Sequence, residues 1–171
     1  MEKEIRGDEK SPLFILKMFR DKVKELVYKS LEERQDLFLL DLKVAENNAI
    51  KVVIDGDNGV QVEDCMFISR AIEHNLDREA QDFSLEVTSP GATSPLLNKR
   101  QFKRNVGRVL EVKTKDNQAY EAKLASCDDE GILLKWKTRE PKPVGKGKVT
   151  VKKQAKIAFS TILEAQVVIK F

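Results

Sequence analysis

The strongest constraint on this chain is a seven-residue break, Ser89-Pro90-Gly91-Ala92-Thr93-Ser94-Pro95. Its two prolines fix φ and push the preceding residues to extended shapes, so neither helix nor strand continues through it. Gly91 permits a tight turn there. No Gly/Ser tract surrounds it, so a semi-rigid hinge is expected rather than a floppy tether. The chain therefore has to be read as two halves of 171 residues in total, each large enough for a small core.

The halves differ in charge. Residues 1–93 carry 13 Lys+Arg against 20 Asp+Glu, a balance of −7. Residues 94–171 carry 18 against 8, a balance of +10. Such asymmetry points to a polyanion partner for the basic half. The plain alternative is a charged, solvated surface.

Residues 1–10 are nearly all charged and are expected to form a disordered tail. Ser11-Pro12 then reads as an N-cap followed by proline in the first helical turn. Phe19, Val23, Leu26, Val27 and Leu31 recur at helical spacing, and this helix fades near Gln35-Asp36. Residues 37–44 and 49–54 read as strands joined by Glu46-Asn47-Asn48, where Asn tolerates positive φ. Val62 to Asn75 reads as a second helix and 83–88 as an alternating strand. The first half is thus α-β-β-α-β.

Beyond the hinge, Asn98 to Asn105 reads as a short basic helical turn. Five alternating stretches follow, at 106–114, 119–126, 131–137, 148–153 and 163–170. Five short strands in so few residues suggest a small barrel of the SH3-like or Sm-like kind. Residues 138–147 are expected to be a basic, Pro/Gly-rich loop between its third and fourth strands. The fold class is α+β in two domains. The expected boundaries are 11–91 for an acidic N-terminal domain, 92–97 for the hinge and 98–171 for a basic barrel.

Catalytic and metal chemistry find little support. With Cys65, Cys127 and His74 as the only soft ligands, a zinc site lacks its four donors. With one histidine, His74 itself would have to be the base of any Ser–His or Cys–His catalysis, which argues against both. Gly56-Asp57-Asn58-Gly59 and Gly145-Lys146-Gly147-Lys148 match neither phosphate-binding glycine motif. Counted from Asp55, the closing glutamate of a calcium loop falls on Met66. No cofactor, small-molecule substrate or enzymatic activity is expected. No apolar run reaches about 18 residues and residues 1–10 lack a secretory h-region, so a reduced, cytoplasmic protein with no membrane contact is expected.

The basic residues carry the functional signal. Lys99, Arg100, Lys103, Arg104 and Arg108 cluster after the hinge, with the pairs 99/103 and 100/104 one helical turn apart. A second group is Lys135, Lys137, Arg139, Lys142, Lys146, Lys148, Lys152, Lys153 and Lys156. Both groups suit phosphate contact without base readout. Trp136 sits between Lys135 and Lys137 and is either core or, if outward, a stacking surface.

The order of these pieces resembles the bacterial ribosome maturation factor RimP family. The matching residues begin with Val52-Val53-Ile54-Asp55, Gly59-Val60 and Glu63-Asp64-Cys65. They continue through Ser69-Arg70-Ala71-Ile72 and Leu76-Asp77-Arg78. The most specific stretch is Leu85-Glu86-Val87-Thr88-Ser89-Pro90-Gly91, followed by Pro95-Leu96, Phe102 and Gly107. Tyr120-Glu121-Ala122-Lys123-Leu124 and Gly131-Ile132-Leu133-Leu134 match more loosely. Thr88, Ala92 and Ser94 depart from the residues frequent in the family at those places, and Ser94 replaces a hinge arginine. The resemblance implies a KH-like first domain, an Sm-like second domain and a hinge at Ser89, Pro90, Gly91 and Pro95. It also implies a non-enzymatic, monomeric assembly factor for the free small ribosomal subunit. Its partners would be ribosomal RNA and a small-subunit ribosomal protein. A generic RNA-binding Sm-like module and a protein-interaction adaptor are the alternatives.

Overall fold

The computed structural model describes residues 11–170; the tail expected at 1–10 lies outside the described residues. The chain is α+β and divides into two compact units between Pro90 and Gly91.

In the first unit, helix α1 (Pro12–Glu33) begins as its sequence suggests: Ser11 Oγ accepts the Phe14 N–H at 3.2 Å. Its buried face is Phe19, Val23, Leu26 and Val27. Strands β1 (Leu37–Val44) and β2 (Ala49–Gly56) form an antiparallel hairpin, with Asn48 at φ 62° in the turn. Helix α2 (Val62–Glu73) then crosses over to β3 (Ser84–Thr88), which pairs parallel with β2. The sheet order is β1-β2-β3. Val52 and Ile54 from β2 meet Val23 and Val27 of α1 and Ile68 and Ile72 of α2 in one core, all fully buried. Each such side chain contributes about 1.5–3 kcal/mol by leaving water.

The start of α2 is tied to the end of α1. Asp64 accepts the Gln61 N–H at 2.8 Å and Arg34 Nη2 at 2.7 Å, while Arg34 also grips Asp36 through two bonds of 2.9 and 2.8 Å. The Gln61 backbone bond, then the Arg34 guanidinium, hold the Asp64 carboxyl below its ordinary value. A depressed folded value means the stabilisation is present at neutral pH and lost as pH falls below about 4. Asp64→Asn is therefore expected to lower the melting temperature at pH 7 and to flatten the acid limb of stability. Thermal melts between pH 2 and pH 7, chosen around the ordinary carboxylate value of about 4, check this. An unchanged acid limb would remove this contact from the account.

The second unit opens with a turn in which the Ser94 N–H donates to the Gly91 carbonyl at 3.0 Å. Helix α3 (Lys99–Arg104) follows. Strands β4 (Val109–Thr114), β5 (Ala119–Cys127), β6 (Gly131–Pro141), β7 (Lys148–Ala158) and β8 (Ile162–Val167) form one antiparallel sheet in the order β7-β6-β5-β4-β8. The expected barrel is corrected on closure: among the described residues this sheet is open, with β7 and β8 as its ends. It is nevertheless strongly coiled. Laid flat, the outer strands of a five-stranded sheet would lie about 19 Å apart. The 3₁₀ turn Phe159–Thr161 joins Ala158 to Ile162, a span of at most about 14 Å. The turn crosses the end of the sheet, with the Phe159 N–H on the Glu130 carbonyl at 3.0 Å and the Lys115 N–H on the Thr161 carbonyl at 2.8 Å. Leu96 covers part of the β8 edge by donating its N–H to Ala165 at 2.7 Å. Leu110, Val112, Leu124, Ile132 and Leu134 fill the concave side.

The second correction concerns residues 138–147. The first four are strand: β6 runs to Pro141 and β7 resumes at Lys148, with unbroken pairing from Gly131↔Ala158 to Pro141↔Lys148. The cross-strand ladder, formed between residues distant in sequence, overrides the local turn chemistry of Pro141, Pro143, Gly145 and Gly147. Only 142–147 remain as the tip.

Candidate nucleic-acid interface

Pairing register decides which basic residues share a face. Lys123 of β5 lies directly opposite Lys135 of β6, and Lys137 of β6 lies directly opposite Lys152 of β7. Alternation along β6 puts Lys135, Lys137 and Arg139 on the exposed side, while Ile132 and Leu134 face the core. Register adds Lys148 and Lys156 of β7 to that side. All of these cations are exposed. Like charges directly opposite one another destabilise a sheet. Among the described residues, Lys123, Lys135, Lys137 and Lys152 have no ion-pair partner. The fold thus carries two repulsive cross-strand pairs around a shallow concavity of about 330 Å³. A bound polyanion would neutralise both.

Lys153 separates from this group. It faces the other side of the ladder, opposite Trp136, and its Nζ lies 2.7 Å from Glu140 Oε1. Lys142 and Lys146 sit in the tip, where the Lys142 N–H donates to the Gly147 carbonyl at 3.1 Å. Gly145 and Gly147 adopt φ of 87° and 101° there, which an L side chain resists. Arg139, expected in a loop, is held on β6 with Nη2 3.5 Å from the Lys148 carbonyl.

The helical cluster is more engaged than its sequence suggests. Lys99 Nζ donates to the Asp129 carbonyl at 2.7 Å and lies 5.3 Å from the Phe159 ring centre. Arg100 is half-buried, and Lys103, Arg104 and Arg108 are exposed. Sequence reasoning missed the residues that seat this helix. Gln101 is fully buried, and its Oε1 accepts the Leu97 and Asn98 N–H groups at 2.7 and 3.1 Å. Asn105 is buried too and donates Nδ2 to the Gln101 carbonyl at 2.7 Å. The Asn98/Gln101 spacing of a capping box was the available signal. Phe102 packs edge-on to Phe159 at 5.3 Å.

Trp136 belongs to the concave side. It is half-buried against the second core, with its ring 5.8 Å from that of Tyr120. Trp136→Ala is expected to cost about 2 kcal/mol, less than the 3–5 of a fully buried aromatic. Any affinity for nucleic acid should stay unchanged, as read by denaturant melts beside binding titrations. Reduced affinity with intact stability would make Trp136 a contact residue.

The remaining reactive groups are shielded or structural. Burial pushes the Cys65 and Cys127 thiols up, which disfavours the thiolate a nucleophile needs. His74 caps α2, its N–H on the Arg70 carbonyl at 2.9 Å. Among the described residues no three His, Cys, Asp or Glu side chains group as metal ligands, and no helix is long and apolar enough to cross a membrane.

Comparison with known proteins adds the lineage. Residues 27–93 match the RimP N-terminal domain model. Ribosome maturation factor RimP of Christiangramia forsetii is 54% identical over 154 residues, covering 90% of this chain and all of that protein. Its counterpart from Flavobacterium psychrophilum is 50% identical over 153 residues, covering 90% of this chain and 99% of that one. That of Cytophaga hutchinsonii is 31% identical over 160 residues, covering 87% and 95%. With such identity across nearly the whole of each chain, this protein belongs to the ribosome maturation factor RimP family.

Proposed function

We propose that this chain is a non-enzymatic ribosome maturation factor that binds the free small ribosomal subunit through phosphates of its RNA. The observation that carries this reading is the exposed lysine face of β5–β6–β7, with Lys123↔Lys135 and Lys137↔Lys152 directly opposed. Repulsion held in a folded sheet is relieved by a phosphate backbone, and flexible lysines contact phosphates without reading bases. Lys103 and Arg108 extend the basic surface around α3. The −7 balance of residues 1–93 repels RNA but complements a basic small-subunit ribosomal protein, and complementary fields speed encounter. The protein acts in the cytoplasm as a monomer, with no cofactor and no small-molecule substrate. It holds an immature conformation of the subunit and leaves when maturation removes the favourable contacts.

Sedimentation of a lysate containing tagged protein at low magnesium, which separates the subunits, tests this. Co-migration with free small subunits and absence from joined ribosomes is the expected result. Protein left at the top of the gradient even at low salt would overturn it in favour of an adaptor.

A further inference from the structure

The β6–β7 hairpin outruns its sheet. Pairing of β6 with β5 stops at Lys135, whereas pairing with β7 continues to Pro141↔Lys148. The six pairs from Trp136↔Lys153 onward form a two-stranded arm, about 20 Å long at strand rise. Two-stranded ribbons are marginal in water, so a long polar one needs another source of order. This arm is anchored at its root by the Ile132 and Leu134 core contacts. Its composition is one-sided: from 136 to 153 there are seven Lys+Arg against one acid, Glu140. One face carries Lys137, Arg139, Lys148 and Lys152, and the tip carries Lys142 and Lys146. Residues two apart along a strand project about 6.6 Å apart, comparable to successive phosphates along a nucleic-acid strand.

What the arm lacks is equally informative. Unpaired RNA is held by aromatic side chains on which bases stack. The arm's sole aromatic, Trp136, stands at its root, half-buried against Tyr120 and at the border of the lysine concavity, and no aromatic lies along the arm beyond it. A ribbon of cations without a stacking platform suits paired RNA, whose wide, shallow minor groove offers shape, phosphates and 2′-hydroxyls.

We propose that the β6–β7 arm is a reader of base-paired RNA, lying along the backbone of a helix rather than gripping an unpaired strand. This rests on the RNA-contact reading above and names the form of RNA it takes.

Titrations of the full chain by fluorescence anisotropy, against a hairpin RNA and an unpaired oligouridine with equal phosphates, test it. Two variants join them. In one, residues 138–151 are replaced by Asn-Gly, so that Lys137 and Lys152 flank a two-residue turn. In the other, Lys142→Glu and Lys146→Glu change only the exposed tip. Wild type should bind the hairpin at least tenfold tighter, and both variants should lose most of that preference. Equal or tighter binding of oligouridine would overturn the paired-RNA assignment while leaving the RNA-contact reading standing. Preference retained by both variants would remove the arm from recognition. Failure of wild type to bind either RNA would overturn the RNA-contact reading itself.

Discussion

Replacing Lys135 and Lys137 together with glutamate is expected to weaken binding to small subunits while making the protein more stable. The opposite signs follow from register. Each substitution turns a repulsive cross-strand pair into an attractive one, Lys123 with residue 135 and residue 137 with Lys152. Opposite-charge pairs of this kind contribute about 0.2–1 kcal/mol each, so the unfolding midpoint should rise. The same change removes two cations and occupies two more. Each lost phosphate contact makes the salt slope shallower by about 1, and the affinity loss near 0.15 M salt should be on the order of 100-fold. Weaker binding by a more stable protein excludes misfolding as its cause. Unchanged affinity with raised stability would reduce the lysine face to a solvated surface.

Gly131→Ala is the second large effect. A Cβ at this position would lie 2.2 Å from the Ile157 carbonyl oxygen and 2.9 Å from the Ala158 Cα, both backbone atoms of β7. Neither neighbour is a flexible side-chain end, so β6 and β7 must part at the root of the hairpin, where Gly131 pairs with Ala158. Overpacking of this sort costs about 1–3 kcal/mol, occasionally more. Displacement of Ile157 from the core adds to it, since that residue is buried beside Ile132. Denaturant melts should show a midpoint shift of that size, with the Asp128 turn disturbed: its Oδ1 accepts the Glu130 and Gly131 N–H groups, both at 2.8 Å. A melt indistinguishable from wild type would show that the ladder yields more easily than its geometry implies.

Sequence made the locally coded parts of this fold legible. The Ser11-Pro12 helix start, the positive-φ turn at Asn48 and the break over Ser89–Pro95 are short-range signals; the structure has the first two, and its two units divide within the third. The coil of the second sheet was legible as a small-barrel pattern, but its open order β7-β6-β5-β4-β8 was not, because closure depends on edges far apart in sequence. The arm was hidden for a related reason. Thr138, Arg139 and Glu140 carry no apolar alternation, and two prolines and two glycines nearby read as loop chemistry. Only the pairing with 148–153 makes them strand. Among the basic residues, charge and spacing identified the groups but not their partition. Lys153 with Glu140 and Lys99 with the Asp129 carbonyl are contacts across 13 and 30 positions, invisible to local spacing. Gln101 was missed because a polar residue in a six-residue helix gives no periodic signal, though its capping role was encoded three residues after Asn98.

The central claim is that phosphates hold this protein on the small subunit through the β5–β6–β7 lysine face. The most direct test is the dissociation constant of the full chain for purified small subunits between 50 mM and 300 mM salt, a range over which several phosphate contacts change affinity by about 10³-fold or more. A plot of log affinity against log salt should be linear with a slope of about −4 or steeper, becoming shallower by 2 to 4 in the Lys135→Glu, Lys137→Glu protein. A slope near zero, shared by wild type and variant, would contradict the account and leave contact with a ribosomal protein as the source of binding.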